Sequence, residues 1–95
     1  MKHKLSMKSA LVKLYKDEGP MWDYEAVDRI AKEYGCDTDY WKFVLRFSLI
    51  ELAGGGLLEA VEEEMDDGTH FKADSVVIKY QITDFGCMRV ESLLE

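Results

Sequence analysis

Two basic side chains in the middle of the chain have a spacing that suits contact with nucleic acid. Lys42 and Arg46 are four residues apart, which places them one turn apart on a single face of a helix. Such cations neutralise phosphates and donate hydrogen bonds to base edges in a major groove. Thr38, Tyr40 and Trp41 could add contacts from the same segment. The segment therefore predicts a DNA-contacting helix; the alternative is that the two cations form only a solvated strip.

An acidic run further along the chain opposes that interpretation. Its six carboxylates have no basic residue among them: Glu59, Glu62, Glu63, Glu64, Asp66 and Asp67. A segment of this charge repels a polyanion unless a counterion or a partner covers it. We expect a solvated hairpin edge that resists edge-to-edge aggregation. A calcium site is not expected, because the run lacks the alternating oxygen ligands of a calcium-binding loop.

Catalytic chemistry finds little support in the polar residues. No Ser-His-Asp or Cys-His arrangement has a plausible spacing, and the glycines at 54–56 follow a helix, whereas a phosphate-binding loop precedes one. His3 and His70 are isolated, and we expect both on the surface. Cys36 and Cys87 lie far apart, which predicts two free thiols in a reducing compartment. The sequence therefore predicts a protein that is not an enzyme and uses no cofactor or metal.

Charge is distributed unevenly along the 95 residues. The net charge is −7, and residues 1–16 carry five lysines and no acid, so the remaining residues must carry −12, which is −7 less those five positive charges. The length fits one domain, residues 1–95. No apolar stretch approaches the roughly 20 residues of a membrane-spanning helix, and the start leads into no apolar signal region. We therefore expect a cytoplasmic protein.

Helical periodicity accounts for the first half of the chain. It predicts a first helix from Leu5 to Asp17, a short extended piece at Met21-Trp22, and a second helix from about Tyr24 to Tyr34. A third helix follows from Asp39 to Ala53, capped by Asp37 or Thr38. Since only Gly35 to Thr38 separates the second and third helices, the pair predicts a helix-turn-helix.

A hairpin and a last helix account for the second half. A strand that begins at Leu57-Leu58 runs into the acidic run, and Asp66-Asp67-Gly68 supplies turn residues. The second strand, Ser75 to Thr83, is rich in β-branched residues. Its alternation predicts one buried face, with Val76, Ile78, Tyr80 and Ile82, and one wetter face, with Val77, Lys79, Gln81 and Thr83. Thr83 caps a short final helix. The fold class is α+β.

The third helix has too many apolar residues for one buried stripe. If Val44 or Leu45, with Leu49 and Leu52, faces the core, then Phe43, Phe47 and Ile50 form a second apolar line at i, i+4 and i+7. Either a terminal helix of the same chain or a second protein should cover this line. Leu93 and Leu94 could join such an interface.

Two local stretches give the chain a family resemblance. Leu52-Ala53-Gly54-Gly55-Gly56-Leu57-Leu58 is similar to the junction between recognition helix and first wing strand in MarR-like and PadR-like regulators. Tyr80-Gln81-Ile82-Thr83-Asp84-Phe85-Gly86 is similar to their Tyr-x-Leu-Thr-x-x-Gly, which joins the second wing strand to the next helix. With the order of elements, the chain resembles a winged helix-turn-helix domain over almost its whole length: a three-helix bundle with a hairpin wing and a short final helix.

The resemblance implies a DNA-binding transcriptional regulator that acts as a dimer. Its third helix would enter double-stranded DNA, with Lys42 and Arg46 as the main contacts. Fold alone does not establish that role, and the alternative is a winged-helix protein-interaction module that does not bind DNA. In that hypothesis the Phe43, Phe47 and Ile50 line, or the acidic hairpin, binds a protein.

Overall fold

Four helices and three strands make up the part of the chain that the structure describes. The computed structural model describes residues 6–68 and 75–94. The helices are α1 (Met7–Glu18), α2 (Asp23–Glu33), α3 (Asp39–Gly54) and α4 (Asp84–Leu94), and the strands are β1 (Met21–Trp22), β2 (Leu58–Met65) and β3 (Val76–Ile82). The α+β class and the order of the elements are as predicted, and the bounds of the first three helices lie within two residues of the predicted ones.

Local side-chain hydrogen bonds fix where the helices begin. The Ser6 hydroxyl accepts from the Ser9 N–H at 3.2 Å, and the Thr38 hydroxyl accepts from the Trp41 N–H at 3.3 Å. Each satisfies a backbone donor that the first helical turn leaves without a partner. After α2 the chain turns at Gly35, whose φ of 68° favours glycine. Of the two caps predicted for α3, the structure uses Thr38.

The core lies where α1, α2 and α3 pack on one another and on the base of the sheet. Its fully buried side chains include Leu11, Tyr15, Val27, Leu45, Leu49 and Leu58. Because a buried phenol needs a hydrogen-bond partner, Tyr15 donates to the Met21 carbonyl oxygen at 3.1 Å and so ties α1 to β1. No helix in the described ranges combines the length and the apolar character needed to cross a bilayer.

The sheet is antiparallel, with strand order β1-β3-β2. Its long hairpin pairs Leu58 with Ile82 at the base and Met65 with Val76 at the far end. A register shift between Ala60 and Glu62 leaves one extra residue in β2. The Asp66 N–H donates to the Ser75 carbonyl oxygen at 2.7 Å and continues the ladder past the strand ends.

Two predictions about the hairpin are wrong at its far end. Val76 is 42% exposed, whereas Val77, predicted on the wetter face, is 3% exposed. Tyr80, with the partly buried Ile78 and Ile82, packs on the main core, and the β-bulge opposite Tyr80 and Lys79 twists the strand between these residues and its Val76 end, where the predicted alternation does not hold. Asp66, predicted to be solvated with the rest of the acidic run, is buried.

Some predictions concern residues outside the described ranges. His3, His70, Leu5 and the first two of the five early lysines are among them. The backbone of Leu93 and Leu94 belongs to the last turn of α4, and their side chains lie outside the described part.

Candidate functional site

The inner face of α3 holds the helix against the core. Leu45, Leu49 and Leu52 are at most 4% exposed, as predicted for the inner stripe. Val44, the alternative to Leu45, is only partly buried. With its inner leucines fixed in this way, α3 must present the opposite set of side chains away from the bundle.

The outer face of α3 is apolar and exposed. Tyr40 and Phe43 are each 68% exposed, Phe47 is 55% exposed and Ile50 is 53% exposed. We call these four residues the outer strip. Phe43, Phe47 and Ile50 form the predicted second line, and Tyr40, predicted as a DNA contact, extends it by one turn. Sequence analysis predicted that either a terminal helix of the same chain or a second protein covers this line. Within the described residues, no terminal helix buries the strip.

Thr38 and Trp41, both predicted to contact DNA, have structural roles at the start of α3. The Thr38 hydroxyl caps the helix by accepting from the Trp41 N–H. The Trp41 ring is half-buried and packs edge-on against Tyr40, with ring centroids 5.4 Å apart. Both contacts lie within α3 and its cap, so these two side chains help to fix where the helix starts.

Lys42 is paired with a carboxylate of its own chain. Its ammonium nitrogen Nζ lies 3.1 Å from Asp37 Oδ1. The hydrogen bond to Asp37 and the charge of that carboxylate raise the pKa of Lys42, with smaller contributions from Asp28 and Asp39. A phosphate that approached Lys42 would therefore meet three carboxylates around it.

Arg46 is tied to two other elements. Its Nη2 donates to the Val76 carbonyl oxygen at 2.7 Å, and its Nε lies 4.0 Å from Asp23 Oδ2. The Arg46 side chain is 27% exposed and that of Asp23 is 3% exposed. Arg46 thus joins α3 to the start of α2 and to the first residue of β3, and it supports the fold where DNA contact was predicted.

Asp23, which the sequence interpretation missed, is the buried centre of this junction. Its Oδ1 accepts from the Tyr24 N–H at 2.7 Å, and the carboxylate also accepts from the Ile78 N–H. Burial raises the pKa of Asp23, while these two hydrogen bonds and the charge of Arg46 oppose the rise. In the sequence, Asp23 is recognisable only as an acidic residue in the first turn of α2. Acids are common at helix starts, so this position does not reveal that Asp23 pairs with Arg46.

The hairpin beside α3 remains acidic. Glu59, Glu62, Glu63 and Glu64 are exposed on β2, which is an edge strand. Lys79 lies 3.6 Å from Glu62, and the Gln81 amide donates to Glu59. In the described ranges, seven of the nine lysines and arginines form ion pairs with carboxylates: Lys8, Lys13, Arg29, Lys32, Lys42, Arg46 and Lys79. Within these ranges, little positive charge is therefore left outside ion pairs to attract phosphates.

Other site chemistry is sparse in residues 6–68 and 75–94. No group of three or more His, Cys, Asp or Glu side chains is arranged to hold a metal ion there. Cys36 and Cys87 are free, half-buried thiols. The outer strip is therefore the surface whose function most needs an explanation.

Comparisons of the chain with protein-family models, with curated proteins and with solved structures found no match.

Proposed function

We propose that this chain is a winged-helix domain that works as a protein-interaction module and docks its partner on the outer strip of α3. The order of elements supports the winged-helix arrangement, as does the five-residue connection between α2 and α3 at 34–38. The hairpin follows α3 directly, and the bond from Arg46 to Val76 places it beside that helix. In this arrangement α3 is the helix that the family resemblance assigns to recognition.

The observation that carries the proposal is the exposure of four large apolar side chains in one line. Each side chain of the outer strip is more than half exposed, although such residues are usually buried. Contiguous apolar surface on a soluble protein commonly marks an interaction site, since covering it removes it from water. The partner that fits is a protein face with apolar side chains, which would bury the strip as a core does.

Electrostatics favours a protein over DNA as that partner. Binding to DNA gains most of its affinity from cations that replace condensed counterions. Here Lys42 is paired with Asp37, and Arg46 is held by Val76 and Asp23. A duplex on α3 would also meet the exposed glutamates of β2.

The first prediction is that the protein does not bind duplex DNA. Fluorescence anisotropy with a mixed-sequence duplex, at low and at moderate salt, should give no saturable signal. A DNA-binding regulator would bind at low salt and weaken steeply as salt rises. Binding of that kind, lost on Lys42→Ala, would replace the present proposal with the regulator hypothesis.

A second prediction concerns the strip itself. Peptides selected from a random library on the immobilised protein should bind the outer strip, because hot spots gather in apolar patches. Phe47→Glu should weaken them by roughly 30-fold or more, the loss that a hot-spot residue produces. Met88→Glu is the matched control, because Met88 on α4 is 66% exposed and lies outside the strip. Selected peptides that bind Phe47→Glu and wild type equally would contradict the proposal.

A further inference from the structure

We infer that the occupant of the outer strip is a second copy of this chain, with the two α3 helices packed antiparallel across a two-fold axis. The inference rests on the proposed function, because it names the protein that docks on the proposed surface. Three properties of α3 support it: the spacing of the strip, its charge and its area.

The spacing of the strip is the same in both directions along the helix. Tyr40, Phe43, Phe47 and Ile50 are separated by three, four and three residues. A two-fold contact requires a surface that is complementary to itself, with residue i against j and j against i. With the axis at the level of residue 45, antiparallel helices place Phe43 against Phe47 of the second copy, and Tyr40 against Ile50. Two large aromatic pairs then meet at the centre of the contact.

The charge of α3 allows this contact, although the chain as a whole is acidic. Asp39, Lys42, Arg46 and Glu51 are the charged residues of α3, and their charges sum to zero, whereas the chain carries −7. Lys42, Arg46 and Glu51 each have an ion pair within the chain. The two helices that meet are therefore neutral overall, while the exposed glutamates of β2 lie beside the contact in each copy.

One pair of acids comes level across the axis without making contact. Asp39 of each copy lies at the same height along the helix axis as Glu51 of the other copy. On a single helix, however, these two positions are about 120° apart around the axis, so they lie on opposite flanks of the strip. A two-fold axis between antiparallel helices places like flanks together, so the strip separates these carboxylates. Glu51 is also paired with Lys8 at 3.8 Å.

The exposed area suits a reversible dimer. A buried aromatic side chain covers roughly 150–250 Å². Scaled by the exposed fractions of its four side chains, the strip offers an apolar area of roughly 400–500 Å² per protomer. A standard interface buries about 800 Å² on each partner. A contact as small as the strip is typical of weak, transient complexes, so we expect a dimer that dissociates readily on dilution.

Sedimentation equilibrium on the full chain tests the dimer. Wild type should dimerise reversibly, Phe47→Glu should weaken the dimer by roughly 30-fold or more, and Met88→Glu should leave it unchanged. Circular dichroism on each variant checks that the fold is kept, and Phe43→Lys provides a second test at a residue that is 68% exposed. A wild type that stays monomeric up to ~1 mM overturns the inference.

Mixing two charged variants tests the antiparallel orientation. Phe43→Lys and Phe47→Glu should each self-associate roughly 30-fold or more weakly than wild type. When mixed, they should form a heterodimer, because the introduced lysine faces the introduced glutamate while the remaining Phe47 and Phe43 stay in contact. A parallel pair would place each introduced charge against a phenylalanine, so failure to form a heterodimer overturns the antiparallel contact.

The two proposals fail in different ways. A monomeric wild type whose selected peptides still depend on Phe47 would overturn the dimer and leave the interaction module in place. Salt-sensitive DNA binding that depends on Lys42, with no Phe47-dependent peptides, would overturn the interaction module itself.

Discussion

Replacing Gly86 with alanine is expected to destabilise the protein by about 3 kcal/mol, which for a domain of this size lowers the melting temperature by roughly 10–20 °C. A Cβ at this position would lie 2.2 Å from the Leu57 carbonyl oxygen and 2.7 Å from Ile82 Cγ1. Such distances are impossible without a shift of the backbone, since one of the two atoms is a main-chain oxygen. Urea unfolding followed by circular dichroism measures the loss.

The surroundings of Gly86 leave no room for such a shift. The Thr83 hydroxyl accepts from the Gly86 N–H at 2.9 Å and lies 2.6 Å from the Gly56 carbonyl oxygen. The Thr83 N–H donates to the Leu57 carbonyl oxygen at 3.0 Å. One threonine thus locks the start of α4 to the residues that enter β2, and moving α4 away from Leu57 would break these bonds.

Gly54→Ala is the matched control for this prediction. Gly54 ends α3, its φ is not positive, and a Cβ there would meet nothing within 4 Å. Alanine should be neutral or stabilise the protein by up to about 1 kcal/mol, because it lowers the entropy of the unfolded chain and favours the helix. If Gly86→Ala proved as stable as Gly54→Ala, the contact between α4 and Leu57 would not be a fixed part of the fold.

Local patterns explain why so much of the fold could be predicted. Helix bounds follow from the spacing of apolar residues and from caps such as Thr38 and Thr83, which act within three residues of themselves. The two apolar lines of α3 are likewise a property of one segment. The family resemblance includes a glycine at position 86. The structure explains why glycine suits that position, because a Cβ there would collide with the Leu57 carbonyl oxygen.

The roles of the charged residues could not be predicted, because they depend on partners distant in sequence. Lys42 and Arg46 share a helix face, but Arg46 meets Asp23 and Val76, which are 23 and 30 positions away. Nothing in the sequence around Arg46 indicates that the fold brings these groups together. Burial of Asp66 is also a tertiary effect. Charge patterns therefore indicate which chemistry is available, and only the fold decides whether it is used internally.

Removing the Arg46 charge should destabilise the protein, and the loss should grow with pH. Arg46→Met keeps an unbranched apolar stem but removes the guanidinium, which leaves Asp23 buried without this cation and takes the donor away from the Val76 carbonyl oxygen. We expect a loss of about 2–3 kcal/mol near neutral pH, since breaking a largely buried ion pair leaves one charge uncompensated. Urea unfolding of wild type and variant at several pH values measures it.

The pH dependence follows from the pKa of Asp23. Burial already raises this pKa above the ordinary value of 3.8, and Arg46 is one of the groups that limit the rise. A raised pKa in the folded state means that the contribution of Asp23 to stability is fully present below the unfolded pKa and is lost as pH rises through the folded pKa. Arg46→Met raises the folded pKa further. The difference from wild type should therefore be small in acid, where Asp23 is protonated in both proteins, and largest above the folded pKa.

Asp23→Asn separates the charge from the other contacts of Arg46. Asparagine can still accept from the Tyr24 N–H, but it carries no charge for Arg46 to offset. In the Asp23→Asn background, Arg46→Met should lower the free energy of unfolding by only about 1 kcal/mol, for the lost bond to Val76 and the lost packing. This loss should no longer vary with pH. An equal, pH-dependent loss in both backgrounds would mean that Arg46 acts on another acid. If Arg46→Met alone were as stable as wild type, the ion pair with Asp23 and the bond to Val76 would not contribute to the stability of the fold.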